Sequence, residues 1–363
     1  MDPLVAIPWV YGVFATVAVS NLLLMRRPRR EPPPASPIEP QSLSAIVLLI
    51  PARDEAANLP RLLASVPKSV RVIVVDDAST DGTGDIARAW GAEVITTDAP
   101  LPGGWTGKNW ACHRLAQAAL QDLGGADWLV YVDADTEFIG DGLARIASEL
   151  ATVRPGVGVI SGIPHVAPGR GFEPLVSAWV GWIVLATNPF GLVARTGLGH
   201  NFFLNGQFQA WRPEVYRATS PHESVRHRIM EDVAMGRLLA ARRIPVEVWN
   251  LSAVLTVRMY RNAREAWNGF SKNAYEITNS VAGNVFLVSF LALVAAGWTY
   301  GPPASAPLLF TSGLAVVLAT RAAFWPLLFL PIALLIGSAT VIRSVFWRMT
   351  GRTSWKGRTY STR

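Results

Sequence analysis

The chain has 363 residues, a mean hydropathy of +0.28, 33 Lys and Arg against 26 Asp and Glu, and one cysteine. The single Cys112 excludes an internal disulfide and fits a reducing compartment. Ten basic residues flank the apolar ends and exceed the net charge of +7, leaving the remainder slightly acidic at −3, so anionic lipid headgroups account for the basic excess and no nucleic-acid partner is needed.

Residues 4–25 carry no charge over 22 positions, enough to cross a bilayer that needs ~20. A cleaved signal peptide fits poorly: the run is too long and the basic residues Arg26, Arg27, Arg29 and Arg30 follow it. Those arginines place the next segment on the cytoplasmic side. The expected organisation is a transmembrane anchor (1–26), a Pro-rich linker (27–44) and an α/β domain (45–257). An interfacial helix (258–280), C-terminal transmembrane segments (281–342) and a basic tail (343–363) follow.

Within the α/β domain, 44–50 is an apolar run of strand length closed by Arg53-Asp54-Glu55, and 56–66 has helical spacing. A second strand, 70–75, ends in Asp76-Asp77; a helix (85–90) and a strand (92–96) follow. Asp77-Ala-Ser-Thr can also be read as a helix N-cap. After a Gly-rich loop, 109–121 is helical, and the strand 127–132 ends in Asp133-Ala-Asp135. Strands alternating with helices imply a mainly parallel sheet covered on both faces.

No G-x-G-x-x-G follows the first strand and no G-x-x-x-x-G-K-[ST] occurs, so a dehydrogenase or P-loop reading lacks its phosphate loop. Instead, acids close three strands. Carboxylates along one sheet edge repel one another without a cation, and oxygen-only sites suit Mg²⁺ or Mn²⁺. His113, His165, His200, His222 and His227 show no metal-ligand spacing and are read as structural.

The segments P-A-R-D-E-A-A-N-L (51–59), V-V-D-D-A-S-T-D (74–81), V-D-A-D (132–135) and M-E-D-V (230–233) resemble the family 2 glycosyltransferases. Less generic segments are similar to bacterial membrane carotenoid and hopene-associated glycosyltransferases: W-T-G-K-N-W-A (105–111), N-G-Q-F (205–208), residues 221–239, R-M-Y-R (258–261) and W-K-G-R (355–358). The resemblance implies the GT-A nucleotide-diphospho-sugar fold, a mixed, mainly parallel sheet, with N- and C-terminal transmembrane helices. By resemblance, Asp135 ligates a divalent cation, Mg²⁺ or Mn²⁺, with Asp133 beside it or facing the ribose or sugar. Asp54, Glu55, Asp76 and Asp77 line the base and ribose, and Asp232 is the general base with Glu231 as its substitute. Lys108, in a loop opening a helix, can pair with the diphosphate or be a solvated lysine. Arg258 and Arg261 match a Gln- or Arg-x-x-Arg-Trp motif, with Asn262 in place of Trp. That departure favours transfer of a single sugar over a polymer channel.

Residues 172–193 are apolar enough to span, but a span would separate Asp135 from Asp232, so a buried or interfacial helix is expected. The C-terminal segments 281–298, 304–320 and 322–342 put the tail outside, against the positive-inside rule. The expected protein is a multi-pass enzyme of the cytoplasmic (inner) membrane with its catalytic domain facing the cytoplasm. It moves a hexose, from UDP-hexose, to a polyisoprenoid-type membrane lipid, with inversion. The alternatives are a ceramide- or polyprenyl-phosphate-type sugar transferase, an inactive membrane scaffold of the same fold, and a soluble nucleotidyltransferase.

Overall fold

The computed structural model describes residues 3–28, 43–97, 100–197, 201–350, 354–355 and 358–359. Most of the Pro-rich linker, Arg29, Arg30, His200 and much of the basic tail lie outside the described residues. The strands are β1 (Ile46–Ala52), β2 (Arg71–Asp76), β3 (Glu93–Thr96), β4 (Trp128–Val132) and β5 (Thr136–Phe138), then β6 (Val159–Ile163), β7 (His165–Val166), β8 (Phe208–Trp211), β9 (Val246–Asn250) and β10 (Leu255–Val257). The helices in chain order are α1 (Pro3–Leu24), α2 (Leu59–Ala64), α3 (Thr83–Trp90), α4 (Gly107–Gln121), α5 (Gly142–Ala151), α6 (Glu173–Thr187) and α7 (Phe190–Thr196). They continue with α8 (Pro213–Thr219), α9 (Pro221–Ser224), α10 (Glu231–Ala241), α11 (Ala263–Asn273), α12 (Val281–Tyr300), α13 (Ser305–Thr320) and α14 (Leu330–Met349). Two compact units emerge: Arg26–His165 with Gly199–Val257, and Met1–Met25 with Val166–Leu198 and Arg258–Arg363.

The first unit is built on a seven-stranded sheet of order β3-β2-β1-β4-β8-β6-β9. Strands β3, β2, β1 and β4 run parallel; β8 is antiparallel to both β4 and β6, and β9 parallels β6. The continuous apolar runs of β1, β2 and β4 are buried because helices cover both sheet faces. The chain winds outward from β1 in both directions, toward β2 and toward β4. Such a reversal of strand order opens a crevice at the carboxyl ends of the strands. All three acidic strand ends therefore share one edge. Antiparallel β8 begins at that same edge, since Phe208 pairs with Val132. The turn Asn205-Gly206-Gln207 is thereby delivered beside Asp133.

Arg26 belongs to this unit and not to a headgroup-facing collar. It pairs with Glu149 at 2.8 Å and Glu247 at 3.7 Å, and its guanidinium lies 4.8 Å from the Trp249 ring centroid.

The second unit is apolar and helical. Among the described residues, four helical segments are long and apolar enough to cross a membrane: Ala6–Leu24, Glu173–Thr196, Val281–Tyr300 and Trp325–Met349. Inside the unit, several polar groups pair across helices. Asn21 donates to the carbonyls of Leu185 (2.8 Å) and Asn188 (2.7 Å) and accepts from the Gly191 amide (2.8 Å), tying α1 to the α6–α7 segment. Trp182 Nε1 donates to Ser312 Oγ at 2.9 Å. Gly337 admits Trp179, whose ring lies 2.8 Å from where a Cβ would stand. Outside, Trp9, Leu23, Phe286 and Leu293 are exposed over more than two thirds of their surface. Apolar surface of that extent matches a hydrocarbon environment better than water.

A single crossing by Glu173–Thr196 is incompatible with the first unit's own connectivity. The chain leaves that unit at His165 and re-enters it at Gly199, so both flanks lie on one side of any membrane. Helix α13, with 16 residues, is about 24 Å long at 1.5 Å per residue, short of a ~30 Å hydrocarbon core.

The last apolar segment differs from expectation. Pro326 lies in a 3₁₀ turn (Trp325–Phe329), and Pro331 occupies the second position of α14. There its missing N–H is one that no helix bonds internally, so it starts the helix and does not interrupt it. Arg321, at φ +58°, closes α13. Consequently α14 runs to Met349, and Arg343 and Arg348 are helical residues and not part of a tail.

Candidate active site

The three acidic strand ends play different parts. The loop after β1 turns back at Asp54, which adopts a left-handed φ of +50°. Its carboxylate Oδ1 accepts the Thr80 N–H at 2.9 Å, and its own N–H donates to Ser79 Oγ at 2.9 Å. The Ala56 amide donates to Asp81 Oδ2 (2.9 Å) and the Glu55 amide to Thr83 Oγ1 (2.8 Å). These bonds lace the β1 and β2 loops into one wall.

Asp76 and Asp77 are both buried and committed to that wall. Asp76 Oδ1 accepts the Ser79 N–H at 3.1 Å, while Asp77 Oδ1 accepts Thr97 Oγ1 at 2.9 Å, with Arg53 3.8 Å from its other oxygen. The N-cap alternative for Asp77 fails: α3 begins only at Thr83, behind Gly82. The helical spacing read from residue 56 likewise starts later, at Leu59, because Glu55–Asn58 forms a turn.

Lys108 is not a solvated lysine. It stands in the first turn of α4, whose N-cap Thr106 accepts from the Asn109 amide. Its ammonium lies 2.8 Å from Asp133 Oδ1, 3.1 Å from Asp133 Oδ2 and 2.9 Å from Glu231 Oε1. Burial pushes Lys108 toward the neutral form, but the two carboxylates outweigh it and hold the charge well above the usual lysine range. This pairing is what joins the edge of β4 to the start of α10. Asn109 fixes the next layer. It is fully buried and its Nδ2 donates to the carbonyls of Val225 (3.1 Å) and Arg228 (3.0 Å), clamping that loop on α4.

Asp232 sits beside Glu231 with both oxygens on backbone amides: Oδ2 on Gly206 (3.1 Å) and Oδ1 on Val233 (2.8 Å). Burial first, then the Glu231 charge, pushes its pKa up to about 6. Asp135 is pushed further, to about 7, by burial and then by Asp133 and Glu55. Its Oδ1 is buried with no hydrogen-bond partner. An orphaned, buried carboxylate oxygen at a strand end fits an oxygen ligand for a hard divalent cation. Among the described residues no group of three or more His, Cys, Asp or Glu is arranged to hold a metal. A cation here would therefore complete its shell from the ligands it meets, as Mg²⁺ does with phosphate.

The sequence reading missed Gly206 and Asn109 as individual residues, although both lie in segments that carried the resemblance. A Cβ on Gly206 would stand 3.1 Å from both Glu231 Oε1 and Lys108 Nζ, so only glycine lets its amide reach Asp232 without crowding the ion pair. Gly236 holds α10 in place. A Cβ there would stand 2.0 Å from the Phe202 carbonyl oxygen. Gly236→Ala is expected to destabilise the protein by about 1–3 kcal/mol, the cost of overpacking, and to lower activity with it. Thermal unfolding beside kcat checks this; an unchanged Tm would mean that α10 is free to shift.

His222 is buried, with its pKa pushed down to about 3 by burial, and its Nδ1 lies 2.7 Å from Tyr216 Oη, consistent with a structural role. Trp105 and Trp110 pack edge to face at 5.1 Å, as loop anchors. Arg258 and Arg261 fall in the apolar unit. Arg261 is exposed and pairs with Glu265 at 2.8 Å, while Asn262 caps α11 by accepting the Glu265 amide at 3.0 Å.

Residues 47–217 match the family described as glycosyl transferase family 2. The 4,4'-diaponeurosporenoate glycosyltransferases of Staphylococcus aureus strains USA300 and MRSA252 are each 27% identical to this chain over 230 residues, covering 61% of it. The match spans about 60% of those relatives' own length. Among solved structures, the mannosyltransferase PcManGT from Pyrobaculum calidifontis, in complex with GDP-Man and Mn²⁺, is similar with a TM-score of 0.53 at 15% identity, covering 98% of each chain. At that identity the likeness carries the fold alone. Sheet order, acidic strand ends and family match converge: residues 47–217 match glycosyl transferase family 2, on a sheet of the GT-A fold.

Proposed function

We propose that this chain is a membrane glycosyltransferase that moves a hexose from a nucleotide-diphospho-sugar to a lipid acceptor, with inversion at the anomeric carbon. The observation that carries the reading is the division of labour among the buried carboxylates. One Asp135 oxygen is left without a partner at the β4 end, Asp133 and Glu231 share the single Lys108 ammonium, and Asp232 has its pKa raised to about 6.

In this reading the donor lies along the edge of β1, β2 and β4. Asp54 and Glu55, with Asp76 and Asp77 behind them, shape the nucleoside wall. Asp135, supported by Asp133, would hold Mg²⁺ or Mn²⁺, which when bound supplies positive charge to the diphosphate. Lys108 adds a second cation at the same edge. The acceptor oxygen attacks the anomeric carbon on the face opposite the diphosphate. The carbon–oxygen bond to the diphosphate breaks, its electron pair leaves with the nucleoside diphosphate, and the acceptor proton passes to Asp232. Arg258 and Arg261 remain candidates for contacts with the diphosphate.

Four membrane-length apolar segments favour a lipid acceptor. The staphylococcal relatives, named for diaponeurosporenoate, favour a polyisoprenoid. That name also supports a second reading, in which the acceptor is a carboxylate and arrives already ionised. The pH profile separates the two. A hydroxyl acceptor needs ionised Asp232, so kcat/KM rises with pH and levels off above about 6, following that residue's raised pKa. A carboxylate acceptor gives no such rise. The expected donor is UDP-hexose, the expected location is the cytoplasmic membrane with this domain on the cytoplasmic side, and no nucleic acid takes part.

Lys108→Met tests the ion-pair centre. It leaves Asp133 and Glu231 facing each other without a cation. Breaking a fully buried pair costs about 3–5 kcal/mol. With a quarter of the Lys108 side chain open to solvent, the expected loss is on the order of 2 kcal/mol. Denaturation of wild type and variant in one detergent at neutral pH measures it; equal stability of the two would mean that the ion pair contributes nothing to the fold.

A further inference from the structure

Arg343 lies in the C-terminal third of α14, a 20-residue helix of mostly apolar sequence. Its guanidinium is 4.3 Å from the ring centroid of Trp347, one turn further along the helix, and 5.6 Å from that of Trp267 on α11. Among the described residues no carboxylate pairs with it, and one of its terminal nitrogens is buried with no hydrogen-bond partner. Residues 343–363 contain no Asp or Glu. Arg348 lies over Tyr275 at 5.4 Å, and the Tyr275 amide donates to Ser344 Oγ at 2.8 Å, which locks the two aromatic-bearing segments against α14.

A guanidinium stays charged, and its five donors point outward in its own plane. Aromatic rings engage its face, so the edge donors are left for an oxyanion, which a guanidinium binds in a fork. The surroundings select the rest of the ligand. Ile342 and Phe346, on either side of Arg343, are exposed, as are Leu335 and Ile332 further along α14. That apolar surface gives an acyl chain a path to the cation; a small free phosphate has no use for it.

We propose that Arg343, framed by Trp267 and Trp347 and assisted by Arg348, binds the phosphate of an anionic membrane lipid. This site is independent of the sugar-transfer reading and survives if that reading fails. The test uses the full chain, purified and stripped of lipid, with native mass spectrometry against dioleoyl-phosphatidylglycerol, dioleoylglycerol and glycerol 3-phosphate. Wild type is expected to retain the phosphatidylglycerol at least tenfold better than dioleoylglycerol and to retain no glycerol 3-phosphate. Arg343→Gln should lose that preference, Arg343→Lys should recover part of it, and Arg195→Gln on α7 should leave it unchanged. Equal retention of dioleoylglycerol, retention of glycerol 3-phosphate alone, or an unaltered preference in a well-folded Arg343→Gln protein would each overturn the assignment.

Discussion

Asp135→Ala is expected to reduce hexose transfer by about 10³-fold, in line with removal of a principal electrostatic stabiliser, while the protein stays folded. The ground is its unpartnered buried oxygen and a pKa raised to about 7. Activity of the wild type should follow added Mn²⁺ or Mg²⁺, and that dependence should vanish in the variant. The same residue carries a stability signature of known sign. Its folded-state pKa exceeds the ordinary value of 3.8, so the native state binds the proton more tightly than the unfolded chain. Asp135 therefore favours folding most at low pH, and that contribution is lost as pH rises through about 7. Asp135→Asn, free of this ionisation, should be more stable than metal-free wild type at pH 8 and no more stable at pH 4. Coincident Tm values at both pH values would mean that Asp135 is solvated and does not await a cation.

Asp232→Asn is expected to lower kcat by about 10²–10⁴, the usual contribution of a positioned base, with little change in KM for the donor. Amide substitution preserves the shape but can accept only one of the two backbone N–H groups, Gly206 and Val233, that the carboxylate holds, so the variant should fold with a modest loss of stability, checked by thermal unfolding beside kcat. Glu231→Gln gives the contrast. Glu231 is held by Lys108 at 2.9 Å, so its loss should be felt in stability as well as in rate. A wild-type-like kcat in Asp232→Asn, with a pH-independent rate, would remove the base and favour an acceptor that is already ionised.

Much of this architecture is legible in the sequence because its signals are local. The runs 46–52, 71–76 and 128–132 are continuous apolar strands, and each ends in acids that no core would bury by chance. Pairings over distance are not local. Nothing near Lys108 shows that it meets Asp133, 25 residues on, or Glu231 beyond another complete set of strands. The tight approaches at Gly206 and Gly236 depend on which element packs opposite, which a glycine in a sequence does not reveal. Arg26 reads as a membrane-topology charge because it follows an apolar run, yet its partners Glu149 and Glu247 come from distant elements. The end of α14 was misplaced for the reverse reason. Prolines and arginines look like helix stops, but Pro331 fits the first turn of α14, and the guanidinium of Arg343 packs on tryptophan rings.

The central claim is that one acid-lined sheet edge, in a chain that also carries apolar membrane-length helices, hands a hexose to a lipid. Membranes containing the wild-type chain, supplied with radiolabelled UDP-hexoses and Mn²⁺, test it most directly when the labelled product is extracted and its mass determined. The expected product is a chloroform-soluble lipid heavier by one hexose, formed by wild type and absent with Asp135→Ala or Asp232→Asn. Label found in water-soluble polysaccharide, or a glycolipid formed equally well by both variants, would contradict it.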